Sequence, residues 1–354
     1  MSATLPQKNR IHWIDYAKTW AIYCVVLIHT PPVYEVKSWL CTFLVPFFFF
    51  VSGYLFKVDR TPDLRSFMAK NVRQLLVPYL MIGTLTWLLW LCLLRHVGNG
   101  ADSGVAWYEP MLNLLLGIPE GITHDIPLWN ILCIFMARLL YWLIFRPLPD
   151  RWHLPVLFLC GVAGGVISLV RPWPLPWCID IAPMAVMFFG LGSYARRHDL
   201  MKCHWWLVLL ALGLMTAISV WNPMARVFRA YYGNMALFMF GGLCGIYAMF
   251  GICHYVSRLF GARAAVSFIS MNTLLVCGFH LTGFAVIKGM MLALGIPVDI
   301  IGESLFAQLL FSAVSLAVCI PVIMFVRRYI PSMAGLGGRS AAVPSISTKN
   351  ADKC

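Results

Sequence analysis

Charge is what this chain has least of. Only 12% of its 354 residues are Asp, Glu, Lys or Arg, whereas 60% are hydrophobic. A soluble domain carries roughly 25% charged and 45–50% apolar residues. So few charged side chains cannot cover a water-facing surface of this size, which excludes a soluble enzyme. Acids are scarcer still: 14 Asp and Glu stand against 27 Lys and Arg, for a net charge of +13. No C-x-x-C pair occurs among the 12 cysteines, which sit singly and almost all in apolar runs. Neither a disulfide framework nor a metal set is therefore expected, and no metal cofactor. The basic start lacks a small-residue cleavage site, so the first apolar run is expected to remain as a helix. No internal repeat marks the inverted halves common in secondary transporters.

What the chain has instead is apolar length. A membrane-spanning helix needs about 20 mostly apolar residues, and ten segments qualify: 12–31, 38–56, 75–94, 126–145, 154–170, 178–195, 204–221, 234–256, 265–287 and 305–326. The expected fold is an all-α polytopic integral membrane protein. A stretch at 111–118 is too short to span and reads as re-entrant. With a cytoplasmic N-terminus, the loops and tails on that side hold 19 Lys and Arg; the opposite side holds six, Lys37, Arg95, Arg171, Arg226, Arg229 and Lys288. Lys18 and Arg138 remain inside spans. Orientation follows the Lys/Arg excess, so both termini are expected in the cytoplasm. The basic excess then reads as topology, with the bilayer as partner and no nucleic acid. Residues 1–330 form the expected membrane domain, and the Ser/Ala/Gly-rich segment 331–354 a disordered cytoplasmic tail.

Ionisable residues inside a bilayer are costly and are functional candidates by default. Asp15, Lys18, Ile22, Val25 and His29 follow a 3-4-3-4 spacing that places them on one helical face. Lys18 and His29 lie three turns, or roughly 16 Å, apart along the axis. The face thus carries an ion pair near its cytoplasmic end and an imidazole near its outer end. A plainer reading, of interfacial charges and a helix-ending His, fits the same spacing. Asp180 in the sixth span and His280 and Asn272 in the ninth are further candidates, against packing or interfacial roles. His124 and Asp125 would line the outer mouth or lie in a solvated loop. On the inner side, Lys70 and Arg73 share a face at a helix entrance, where such a pair can clamp an anion.

These residues resemble a known pattern. IDYAKTWAIYCVVLIH is similar to the first helix of the acyltransferase 3 family, in which a basic residue precedes a His by eleven positions, as Lys18 precedes His29. VPFFFFVSGYLF resembles the family's Pro-aromatic run ending in Ser-Gly-Tyr, here Ser52, Gly53 and Tyr54. Lys70-x-x-Arg73 followed by Pro78 is similar to its basic pair, and IPLWNI, with Leu128 and Trp129, to its Leu-Trp-Phe element. Later blocks, IDIAPMAVMFFGLGSYARR, YGNMALFMFGGLCGI and ISMNTLLVCGFH, resemble the branch that includes fucose 4-O-acetylase-like proteins. The likeness covers most of residues 11–330. The chain departs from it at Lys18 and Lys70, where Arg is commoner, and at Asn130, where an aromatic is usual.

The resemblance implies an O-acetyltransferase of a bacterial inner membrane. It would move an acyl group, commonly acetyl, from cytoplasmic acetyl-CoA to a hydroxyl of a cell-envelope glycan or lipid-linked saccharide. His29 would be the general base or the acyl carrier, with Asp15 and Lys18 orienting the first helix, Lys70 and Arg73 holding the CoA phosphates, Trp129 lining the acceptor pocket, and Asp180, His280 and Asn272 on the acceptor side. The competing class is a proton-coupled transporter or flippase, with Asp15, His29, Asp180 and His280 as a relay. Acceptor choice is expected to come from loops such as 96–125, whose composition names no sugar.

Overall fold

Hydrocarbon offers backbone N–H and C=O groups no partner, so a chain this apolar must satisfy them within helices. The computed structural model describes residues 11–31, 33–57, 63–96 and 104–336, and among these it is all-helical apart from turns and one isolated bridge. Fourteen α-helices follow in order: α1 (His12–His29), α2 (Tyr34–Leu55), α3 (Leu64–Asn71), α4 (Val77–Cys92), α5 (Glu109–Leu116), α6 (Trp129–Phe145), α7 (His153–Val170), α8 (Ala182–Arg197), α9 (Trp205–Trp221), α10 (Met235–Phe260), α11 (Ala264–Met271), α12 (Thr273–Ala293), α13 (Ile300–Glu303) and α14 (Leu305–Tyr329). Contacts between helix ends define two ends of the bundle. Tyr16 donates to the Gly261 carbonyl and Arg196 to the Tyr54 carbonyl at the first end. Ser38 donates to Ser219 and Gln308 to Pro31 at the second.

Among the described residues, eight helical segments are long and apolar enough to cross a membrane. The expected spans 12–31 and 204–221 stand apart from these. Helix α9 has 17 residues, and α1 carries Asp15 and Lys18. The polar face of α1 is accommodated because α2, α10, α11, α12 and α14 all pack against it. The expected span 265–287 is broken at Asn272, so that α11 ends there and α12 runs on to Ala293. The stretch at 111–118 overlaps α5, which packs on α4 and accepts a 2.6 Å hydrogen bond from Tyr79 at the Leu114 carbonyl. The bundle also extends past residue 330: Pro331–Ala334 forms a 3-10 turn whose Met333 is buried. Residues 337–354 of the expected disordered tail lie outside the described residues.

Two local features shape the site. Pro78 has no N–H to offer the carbonyl of Gln74, four residues back. The chain responds with a π-turn over Val72–Leu76, in which Val77 N–H bonds to the Val72 carbonyl. The second feature is the seam between α2 and α8. A Cβ on Gly53 would stand 1.7 Å from the Phe189 carbonyl oxygen, and one on Gly192 would stand 2.0 Å from that of Phe50. Backbone approach this close is how helices associate where no hydrophobic effect drives them together.

Gly53→Ala and Gly192→Ala should each force the seam apart and destabilise the protein by about 1–3 kcal/mol. Gly213→Ala on α9, where an added methyl meets nothing, should leave thermal unfolding in detergent unchanged or raised. Equal unfolding temperatures for all three variants would refute the seam.

Candidate active site

The 3-4-3-4 stripe of α1 forms one wall of a cavity of about 670 Å³, to which Lys18, Ile22, Val25 and His29 all contribute. Opposite walls come from Cys41, Phe48 and Ser52 of α2 and from Trp129, Asn130, Ile134 and Arg138 of α6. Leu274 and Cys277 of α12 line it too. At the second end of the bundle its mouth is bounded by Lys37 and by the 224–229 loop.

His29 is placed for chemistry by its own helix. Its Nδ1 is 2.7 Å from the carbonyl of Val25, one turn back. A carbonyl can only accept, so Nδ1 carries the hydrogen and the lone pair of a neutral ring sits on Nε2. The ring also meets that of His280 edge to face, with centroids 5.0 Å apart and planes at 63°. His280 is fully buried, and its Nδ1 is likewise fixed, 3.0 Å from the Val276 carbonyl. The two histidines are thus neighbours, although His280 stands behind the cavity wall rather than on it.

Asp15 and Lys18 serve the other end of the same helix. Asp15 accepts hydrogen bonds from Ser270 Oγ at 2.7 Å and Ser267 Oγ at 3.4 Å. Lys18 Nζ donates to the Ser270 carbonyl. That carbonyl would accept from the next turn in a continuous helix; the break at Asn272 frees it, and the ammonium caps it. Asn272 itself is away from the cavity. Its Oδ1 accepts from Arg327 at 2.9 Å and its Nδ2 donates to Phe268 at 2.6 Å, which fastens the break to α14. It therefore holds helices together at the end opposite the expected acceptor side.

Lys70 lies just before the π-turn and Arg73 within it. Winding the helix more widely aligns Lys70 with Gln74, and both line a second cavity of about 250 Å³ together with Lys57, Asn71 and Arg138. Arg73 is exposed and outside both cavities, so the expected clamp is not formed as a pair. Ser52, Leu55 and Arg138 line both cavities and mark their junction. The guanidinium of Arg138 donates to Ser52 Oγ at 3.3 Å and approaches Gln74 Oε1 at 3.5 Å, both neutral groups. Sequence reasoning counted Arg138 as a charge inside a span and gave it no task; that mid-span position was the available signal. The Ser-Gly-Tyr triplet now has three separate tasks: Ser52 meets Arg138, Gly53 admits α8, and Tyr54 packs on Trp13 and under Arg196.

Asp180, expected on the acceptor side, is 1% exposed and pairs with Arg171. The other guanidinium nitrogen of Arg171 donates to the Arg229 carbonyl and lies 3.9 Å from Glu120. Asp180 does not line the cavity; it anchors the loops that roof it. Asp125, expected at the mouth or in a loop, is also 1% exposed, and the cavity wall begins just after it with Ile126 and Pro127. His124 bonds to the Gly83 carbonyl at 3.1 Å. Trp129 alone of the expected substrate contacts lies on the wall, next to Asn130.

A family model described as an acyltransferase domain, that of the acyltransferase 3 family, matches residues 11–325. No curated protein and no solved structure matches the chain.

Asp180→Ala should leave Arg171, 12% exposed, with only the loose Glu120 contact, at a cost of about 3 kcal/mol. The double variant Arg171→Met/Asp180→Leu should recover most of that loss. Thermal unfolding of the three proteins in detergent measures both; an unchanged midpoint in Asp180→Ala would remove the anchoring role.

Proposed function

The chain belongs to the acyltransferase 3 family, and we propose that it transfers acetyl from acetyl-CoA to a hydroxyl of a cell-envelope glycan or lipid-linked saccharide across the bilayer. Its kind, a membrane acyltransferase, follows from the family and the apolar helices; donor, acceptor and the task of His29 are our reading. The observation that carries it is the pair of adjoining cavities, one lined by Lys57 and Lys70, the other by His29, with Arg138 on the wall of both.

We take the Lys70 end as cytoplasmic. Arg196, Arg197, Arg327 and Arg328 close their helices there, which the cytoplasmic bias of basic residues favours. We assign the protein to a bacterial inner membrane, where envelope glycans lie across the bilayer from acetyl-CoA. The CoA phosphates occupy the smaller cavity, held by Lys57 and Lys70, and the acyl arm passes Arg138 into the larger one. A sugar hydroxyl is a weak nucleophile at neutral pH, and a positioned imidazole remedies this. His29 Nε2 accepts the hydroxyl proton as the oxygen attacks the thioester carbonyl. The carbon–sulfur bond breaks, and the departing CoA sulfur takes the proton back from the imidazolium. Asp15 and Lys18, roughly 16–21 Å along the helix from His29, hold α1 in place and take no part in proton transfer.

His29→Ala should lower acetyl transfer by at least about 100-fold, the lower bound for general-base catalysis, with membrane protein level unchanged. Lys70→Ala should raise the KM for acetyl-CoA by about tenfold, as loss of a charge-assisted contact does; Arg73→Ala should change it less than about twofold. Acetyl-CoA consumption by the purified protein in vesicles reads all three. Retained transfer in His29→Ala, or an Arg73→Ala effect equal to that of Lys70→Ala, would overturn the assignments.

A further inference from the structure

The proposed acceptor enters at the end of the larger cavity opposite Arg138, and the charges there are unlike the rest of that end. Among the described residues at that end, six are Lys or Arg and seven are acids, Glu35, Glu109, Glu120, Asp125, Asp180, Asp299 and Glu303. Three of the six, Lys37, Arg226 and Arg229, nevertheless converge on the cavity mouth. Neither Lys37 nor Arg226 forms an ion pair with a described carboxylate. Arg229 shares Glu120 with Arg171 at a loose 3.8 Å.

This rim is built rather than incidental. Asn222 donates to the Tyr232 carbonyl at 3.0 Å and accepts from Asn234 N–H at 2.7 Å, which closes the base of the loop. Arg226 and Tyr231 exchange two backbone hydrogen bonds, at 2.8 and 3.2 Å, and so close its tip. Ala230 turns the tip through a left-handed conformation, φ 47°, that a residue with a Cβ rarely adopts. Arg171 holds the Arg229 carbonyl from the side. The two rim arginines thus stand three residues apart on a clamped turn. Across the mouth, Lys37 of α2 lines the same cavity as His29.

We propose that the rim of Lys37, Arg226 and Arg229 binds an anionic group, a carboxylate or a phosphate, carried by the acceptor saccharide close to the hydroxyl that is acylated. The inference rests on the acyl-transfer reading above and adds the chemical class of the acceptor. Arginine's planar donor fork matches both anions, and the ammonium of Lys37 adds a point charge on the His29 side. A neutral glycan would leave this cluster of like charge without purpose on the acid-rich end. The same anion can come from a uronic acid within a glycan or from the phosphate of a lipid-linked sugar.

The test measures binding to the full chain in nanodiscs, without acyl donor, by equilibrium dialysis against three matched pairs. Cellobiouronic acid is compared with cellobiose, glucose 1-phosphate with methyl glucoside, and citronellyl-phosphate-linked glucose with citronellyl glucoside. At low salt at least one anionic probe should bind about tenfold more tightly than its neutral partner, and the preferred pair identifies the source of the anion. The preference should shrink with added salt, disappear in Lys37→Gln/Arg226→Gln, and persist in Arg95→Gln, a basic residue of the same end outside the cavity. Equal binding of all charged and neutral partners, or a preference that survives the double variant, would overturn the proposal. Transfer assays with the same probes separate the two readings. Selective binding with no acyl transfer to any probe defeats the acyltransfer mechanism, whereas transfer equally efficient to charged and neutral probes defeats only the anionic acceptor.

Discussion

A helix that carries an acid, an amine and an imidazole can stand in a bilayer only where protein surrounds it and answers each polar group. Much of this structure can be traced to that requirement on α1. Five helices enclose it, and one of its neighbours must break so that partners become available. The interruption at Asn272 exposes the Ser270 carbonyl to Lys18, while Ser267 and Ser270 offer hydroxyls to Asp15. With that end secured, the other end of α1 is free to present His29 to a cavity. The polar stripe is therefore divided into a fastened half and an exposed half.

The two cavities follow the same economy of charge. A guanidinium deep in a membrane protein is tolerated when it faces a polar or water-filled space, and Arg138 faces two. Its neutral partners, Ser52 and Gln74, orient the fork without neutralising it. An anionic or strongly polarised group moving between the cavities would meet a cation already held and aimed. The walls beyond it are mostly apolar until the mouth.

Helical periodicity made the α1 stripe legible, and four of its five members do line one cavity. Periodicity also misaligned Lys70 with Arg73, because a missing N–H at Pro78 changes the winding locally and a 3.6-residue repeat does not register it. Asp180 reads in sequence as an isolated intramembrane acid; its partner Arg171 lies across a Pro-rich turn, at a distance that only the folded loop defines. The proximity of His280 to His29 is a tertiary fact with no trace in spacing, since 251 residues separate them. The cationic rim was visible as a list of six basic residues and became a site only when three of them met at one opening.

The seam between α2 and α8 also determines what can move. Backbone packed at the distance that Gly53 and Gly192 permit leaves no slack for sliding, so Ser52, one residue from the contact, sits on a fixed jamb. The adjustable parts of the junction between the cavities are then the half-buried side chains of Arg138 and Gln74. On the proposed reading, passage between the cavities would be a matter of two side chains swinging within a rigid frame of helices. An enzyme gated in this way can let a slender acyl arm through while the bilayer stays sealed against bulk flow.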